Sequence, residues 1–205
     1  MTTKEKILQT ALQLFNGHGT DAITVRHIAK EMNISHGNLC YHFPNTDAII
    51  TGLYHQMVER MNQQMASMST TELTLAMVHE VSLQTFQVFY DYRFLMLDFV
   101  RIMRRIQEVK SHYQQLMQQR RQQFMWIVKA LVASSLLKPE QFPGQFDAYL
   151  MQSFVFGDFW LSNAEILYEG KAEDKVRQYH RLYFDGLVPY LTEKGWEAYL
   201  VIKNG

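Results

Sequence analysis

Apolar residues recur along this chain at intervals of three and four, and strict alternation over a strand's length is hard to find. Thr2 followed by Glu5 makes a possible capping box, because a hydroxyl and a carboxylate three apart can satisfy each other's end of a first helical turn. Ile7, Leu8, Ala11, Leu12, Leu14 and Phe15 then form one apolar face that closes at Gly17 and Gly19. Thr24 can cap a second helix, with Val25, Ile28, Ala29 and Met32 facing inward. Asn33-Ile34-Ser35 interrupts it. Ser35 can cap a short third helix through Phe43, and Pro44-Asn45 separates that from a fourth. The fourth is expected from about Thr46 to residues 67–69, with Leu53, Met57, Met61, Met65 and Met68 on one stripe that reads as core. Further helices are expected near 72–91, 93–105, 108–137, 144–168 and 171–194, with a short segment at 196–202. Gly170 and Gly195 are placed to end helices, and Pro139 and Pro143 bracket a loop.

The fold class is therefore all-α: a small N-terminal three-helix module, residues 1–48, followed by a larger helical domain, residues 49–205. The 205-residue chain carries only four prolines and ten glycines, mostly between the periodic stretches. Lys+Arg and Asp+Glu both total 20, so any contact with nucleic acid must come from local geometry and not from bulk charge. The single cysteine excludes an intramolecular disulfide and suits a reducing compartment. With no apolar run of membrane-span length and no visible signal peptide, a cytoplasmic protein without a membrane partner is expected.

Residues 24–43 have the proportions of a helix-turn-helix. Ala29 is small where two helices must approach. Asn33 occupies the turn, where a left-handed backbone is expected and Asn tolerates it better than most residues. Ile34 and Leu39 fill the space between the helices. Packing alone could also explain such a motif, so the polar positions matter more.

The strings Thr24-Val25-Arg26-His27-Ile28-Ala29 and Ile34-Ser35-His36-Gly37-Asn38-Leu39-Cys40-Tyr41-His42-Phe43-Pro44-Asn45 closely resemble the DNA-binding domain of the tetracycline-repressor (TetR) family of bacterial transcription regulators. The resemblance covers roughly residues 5–60 and rests on the spacing of the Thr-Val-Arg, Ser-x-Gly and His-Phe elements. It implies a DNA-binding set of Thr24, Val25, Arg26, Ser35, His36, Gly37, Asn38, Tyr41, His42 and Thr46. Ser35 would open the recognition helix, where its hydroxyl and the first N–H groups can meet phosphate. Gly37, lacking a side chain, lets that helix sink into the major groove. His36 and Asn38 can reach base edges, and Asn suits bidentate contact with adenine. Thr24 and Arg26 would touch phosphate or a neighbouring base, and Tyr41 and His42 would clasp the backbone. Two departures stand out: the family usually has Tyr at Cys40 and Lys at Thr46, both customary phosphate contacts. Residues 1–50 hold four basic (Lys4, Lys6, Arg26, Lys30) and four acidic side chains (Glu5, Asp21, Glu31, Asp47), which predicts a shallow dependence of DNA affinity on salt.

His36 and Cys40 lie four apart on one helical face, but His42 points elsewhere and a metal there would block the reading surface, so no metal is expected. Cys40 is read as a small filler, with reversible oxidation beside DNA the rival idea. The chain lacks Gly-x-Ser-x-Gly, a phosphate-cradling glycine loop and a convincing carboxylate pair. No enzyme activity and no cofactor are expected. The rival to a DNA-binding regulator is a helical small-molecule-binding or adaptor protein that does not bind DNA.

The larger domain is crowded with aromatics, most of them assigned to packing. The remainder could line an apolar cavity, and the resemblance implies an effector pocket among the middle helices. Candidates are Phe86, Phe89, Tyr90, Phe99, Met103, Tyr113, Trp126 and Phe156, with a Tyr hydroxyl or His112 adding polarity. An anionic effector beside Arg101, Arg104 or Arg105 is a sharper alternative. The resemblance also implies a homodimer through the last two long helices, with Phe154, Trp160, Leu161, Tyr179, Leu182, Tyr183 and Leu187 at the interface (and Tyr190 beside them). The implied partners are thus a palindromic duplex operator, a small-molecule effector and a second copy of the chain.

Overall fold

Thr2 opens the first helix as its spacing predicts. Its hydroxyl accepts the Glu5 N–H at 3.2 Å, and the Glu5 carboxylate accepts the Thr2 N–H at 2.7 Å. The structure is a computed structural model, described over residues 1–66 and 73–204. Helix α1 (Thr3–Ala22) does not stop at Gly17. It kinks at Gly19, whose φ of 75° favours glycine, and a last turn places Thr20 and Asp21. Helices α2 (Val25–Glu31), α3 (His36–His42) and α4 (Thr46–Ala66) follow in the expected order. Met68, the end of the expected α4 stripe, lies outside the described residues.

Next come α5 (Leu75–Asp91), α6 (Arg93–Leu97), α7 (Phe99–Arg105), α8 (Gln107–Ala133), α9 (Gln145–Leu167), α10 (Lys175–Asp185) and α11 (Glu193–Asn204). Two spans read as single helices are broken. The 93–105 stretch turns at Asp98, where ψ rises to 14°. The 171–194 stretch is α10 flanked by short 3-10 turns at Ala172–Asp174 and Val188–Tyr190. Pro189 lacks the N–H that a continuing helix needs. Helix α8 stops four residues early because Ser135 adopts a φ of 59° and Leu137 bridges to Leu191. Among the described residues no helix is long and apolar enough to cross a membrane.

The chain divides into two compact units. The first joins Met1–Arg60 to Asp91–Tyr113, so a distant segment folds with the N-terminal helices. Its core includes Ile7, Phe15, Ile28, Leu39, Ile49, Leu53, Phe94 and Ile102, all nearly or fully buried. The Phe15 and Phe94 rings lie 5.1 Å apart. Asn16 fastens the same junction with both ends of its amide: Nδ2 donates to the Asp91 carbonyl at 2.7 Å, and Oδ1 accepts the Phe94 N–H at 3.1 Å.

The second unit contains the rest of the chain. Val81, Leu131, Phe146, Phe184, Leu191 and Tyr199 belong to its main cluster. Beside them Phe86 stacks on Trp160 at 5.2 Å and packs against Phe156 at 6.2 Å and Tyr183 at 5.2 Å.

Most residues expected at the dimer face are occupied within the protomer. Trp160, Leu161, Tyr179 and Leu187 are buried within the protomer, and Phe154 and Tyr183 are half-buried; only Leu182 is well exposed. The exposed apolar residues of α9 are instead Met151, Val155 and Phe159, spaced by four, with Ile166 and Leu167 near its end. Helix α9 is apolar around most of its circumference, so its sequence does not say which side is core.

Candidate nucleic-acid interface

The helix-turn-helix is built from local hydrogen bonds that the sequence supplies in order. Thr24 Oγ1 accepts the His27 N–H at 3.4 Å, while the Thr24 N–H donates to His27 Nδ1 at 3.3 Å, starting α2. After Met32 the backbone of Asn33 swings to a φ of 53°, the left-handed geometry expected there. That reversal lets the Asn33 and Ile34 N–H groups reach the Lys30 and Ala29 carbonyls at 3.1 and 3.0 Å. Ser35 then caps α3, its Oγ accepting the Asn38 N–H at 3.1 Å.

One side of α3 is fixed inward by Leu39 and by Phe43 just beyond its end, and Ala29 of α2 is buried with them. Ser35, His36, Gly37, Asn38 and Tyr41 are all exposed. Tyr41 is 86% exposed, an unusual placement for an aromatic ring, and its ring edges that of His42 at 5.2 Å. At Gly37 an added Cβ would meet nothing within 4 Å, so folding places no demand for glycine there. Thr24 and Arg26 are exposed, while Val25, His42 and Thr46 are half-buried. Asn45 Oδ1 caps α4 by accepting the Ala48 N–H at 2.9 Å, which puts Thr46 in the first turn. His36 Nε2 lies 3.4 Å from Cys40 Sγ, and among the described residues no three metal-ligating side chains gather.

The electrostatics around this module involve residues the sequence assigned elsewhere. Arg101 pairs with Asp21 and donates to Asp98 and Thr20 at 2.7 and 2.6 Å. Arg105 Nη2 contacts Asp47 Oδ1 at 2.5 Å. These two arginines hold carboxylates of the first unit. Their pairing with Asp21 and Asp47 had no local signal, because those two carboxylates lie more than fifty residues away in the chain.

His112, considered as a polar effector contact, instead accepts or donates at 2.9 Å to the Tyr54 hydroxyl, within the first unit. Burial, and then the nearby His55, depress its pKa. The pocket candidates divide between the two units. Phe99 edges Tyr113 at 5.1 Å in the first, where Met103 also lies, half-buried. Phe86, Phe89, Tyr90, Trp126 and Phe156 belong to the second. Trp126 is 50% exposed. The sequence missed His180, which is 2% exposed, 2.8 Å from the Ser82 hydroxyl, and edge-on to His79 at 4.7 Å.

A family model described as bacterial regulatory proteins, tetR family, matches residues 7–53, and one described as TetR, bacterial transcriptional repressor, matches residues 56–199. A curated relative, the probable HTH-type transcriptional regulator YttP of Bacillus subtilis (strain 168), is 27% identical over 88 residues. That match takes in 40% of this chain and 42% of the relative, less than half of either. The crystal structure of a TetR-family transcriptional regulator from Marinobacter aquaeolei VT8 superposes with a TM-score of 0.90, at 24% identity over 100% of this chain and 98% of that one. SmeT in its triclosan complex superposes with a TM-score of 0.64, at 15% identity over 94% of this chain and 93% of that one.

Proposed function

The chain belongs to the TetR family of bacterial transcription regulators, and on that footing we propose that it is a repressor released from a palindromic operator by a small, largely apolar effector. The observation that carries this is the outward side of α3, where Ser35, His36, Gly37 and Asn38 stand exposed with open space over Gly37. A helix with so little bulk can enter a major groove about 12 Å wide, with His36 and Asn38 at the base edges. Thr24, Arg26, Tyr41, His42 and Thr46 would position it on the phosphates, with Val25 packing beside them.

Residues 1–48 would read DNA, and residues 49–205 would bind effector and form the homodimer. Met151, Val155 and Phe159 of α9 with Leu182 of α10 offer the apolar surface for pairing. Two copies related by a twofold axis present two recognition helices, hence the palindrome. For the effector, the aromatic side chains around Phe86 and Phe156 supply the apolar contacts, and the triclosan held by SmeT is a ligand of that character. Helix α4 begins at Thr46 beside the reading module and ends at Ala66 in the effector-binding part, so it is the covalent lever between the two. Linkage then requires that effector lower DNA affinity by the factor by which DNA lowers effector affinity.

A gel shift with the duplex upstream of the protein's own gene tests the reading. A retarded band that a member of an apolar compound library dissolves is expected. A protein that retards no duplex, yet binds small molecules, is instead the non-DNA-binding helical protein.

A further inference from the structure

Residues 1–50 have no net charge, and Cys40 and Thr46 stand where the resemblance implies phosphate-contacting Tyr and Lys. A module that reads DNA needs cations near the backbone, because displaced counterions supply most of its non-specific affinity. The structure brings cations from elsewhere: Asp91–Tyr113 folds into the same unit and carries five basic residues against three acidic ones. Two of these meet the module's own carboxylates, Arg101 at Asp21 and Arg105 at Asp47. Half of the module's four acidic side chains are thereby neutralised.

Arg105 meets the start of α4. Asp47 directly follows Thr46 in the first turn of α4, and both partners of the ion pair are partly exposed, at 35% and 43%. The contact runs through Nη2, and a guanidinium carries five N–H donors in a fixed fork, enough to meet a second anion beside the first. Arg104 beside it is exposed and makes no ion pair among the described residues. We infer that Arg105, assisted by Arg104, contacts a backbone phosphate of duplex DNA from outside the helix-turn-helix, replacing the cation missing at Thr46. This rests on the DNA-binding reading above.

The test is fluorescence anisotropy of a mixed-sequence duplex titrated with the full-length protein across a salt series. Non-specific binding to such a duplex reports phosphate contacts and needs no knowledge of the operator. Arg105→Gln should weaken binding several-fold and reduce the log–log salt slope by about 0.9 for each phosphate it no longer neutralises. Arg104→Gln should reduce the slope in the same direction, and Arg105→Lys should keep most of it. Asp47→Asn, which removes the ion pair but leaves the cation, should bind as well as the parent or better. If Arg105→Gln and Asp47→Asn weaken binding equally with the slope unchanged, Arg105 merely holds α4 in place and the inference is overturned. A slope unchanged by either arginine variant, with thermal melting showing both folded, overturns it as well. A parent protein that binds no duplex at all defeats the DNA-binding reading itself, a distinct outcome.

Discussion

The Ser35 hydroxyl oxygen accepts the Asn38 N–H at 3.1 Å, so the side chain that opens α3 is engaged as a helix cap while its own proton remains free to donate. On the proposed reading, one residue thus has a structural task and a phosphate-facing one. Two substitutions separate them. Ser35→Ala removes the cap and should cost about 1 kcal/mol of stability along with DNA affinity. Ser35→Asp preserves capping, so the urea midpoint should stay near the parent's, but its charge against phosphate should lower DNA affinity by tenfold or more. Paired chemical denaturation and anisotropy measure the two effects.

Gly37 gives a cleaner dissociation of fold from function. Its helical backbone needs no glycine and its Cβ position is open, so Gly37→Ala should leave stability unchanged or raise it by up to about 1 kcal/mol. The same methyl group would stand between α3 and the groove floor. Affinity for the preferred duplex should fall while affinity for mixed-sequence duplex changes little, because phosphate contacts are untouched. Equal retention of both affinities would remove Gly37 from the reading surface.

His180 makes the second unit sensitive to acid. Burial, reinforced by His79 and opposed by Asp185, brings its pKa from 6.5 down to about 4. The folded protein therefore binds fewer protons than the unfolded chain between those values. Stability is fully present above about pH 6.5 and declines as the pH falls toward 4, by up to about 3 kcal/mol. Burial lowers the His79 pKa as well, in the same direction. Urea midpoints at neutral and mildly acid pH should fall accordingly, and His180→Gln should flatten that dependence.

Helix α9 leaves Val155 53% exposed between Met151 and Phe159. A glutamate at the centre of a paired apolar surface would bury an unpartnered charge. Val155→Glu should raise the dimer dissociation constant at least tenfold in sedimentation equilibrium, with the helical content of the protomer unchanged. An unaltered molecular mass would place the interface elsewhere.

Local rules carried most of the DNA-reading module into view. The Thr2, Thr24 and Ser35 caps and the left-handed Asn33 each depend on residues within a few positions, and all appear as the sequence implies. What the sequence hid is long-range or rotational. Arg101 and Arg105 find Asp21 and Asp47 across the chain, and no periodicity encodes such pairs. On α9, Trp160 and Leu161 went inward and Val155 and Phe159 outward, a choice that a helix apolar on several sides leaves to its neighbours. The break at Asp98 was equally silent, since 93–105 has no proline or glycine to mark it.

Whether α3 reads sequence as half of a symmetric pair is decided by selecting duplexes from a random pool with the full-length protein, and again with Ser35→Asp. The full-length protein should recover sequences that share a palindrome, with half-site centres about 34–36 Å apart or a multiple of that, and the variant should enrich none. A recovered pool as random as the starting one, or the same palindrome selected by both proteins, would refute paired reading by α3.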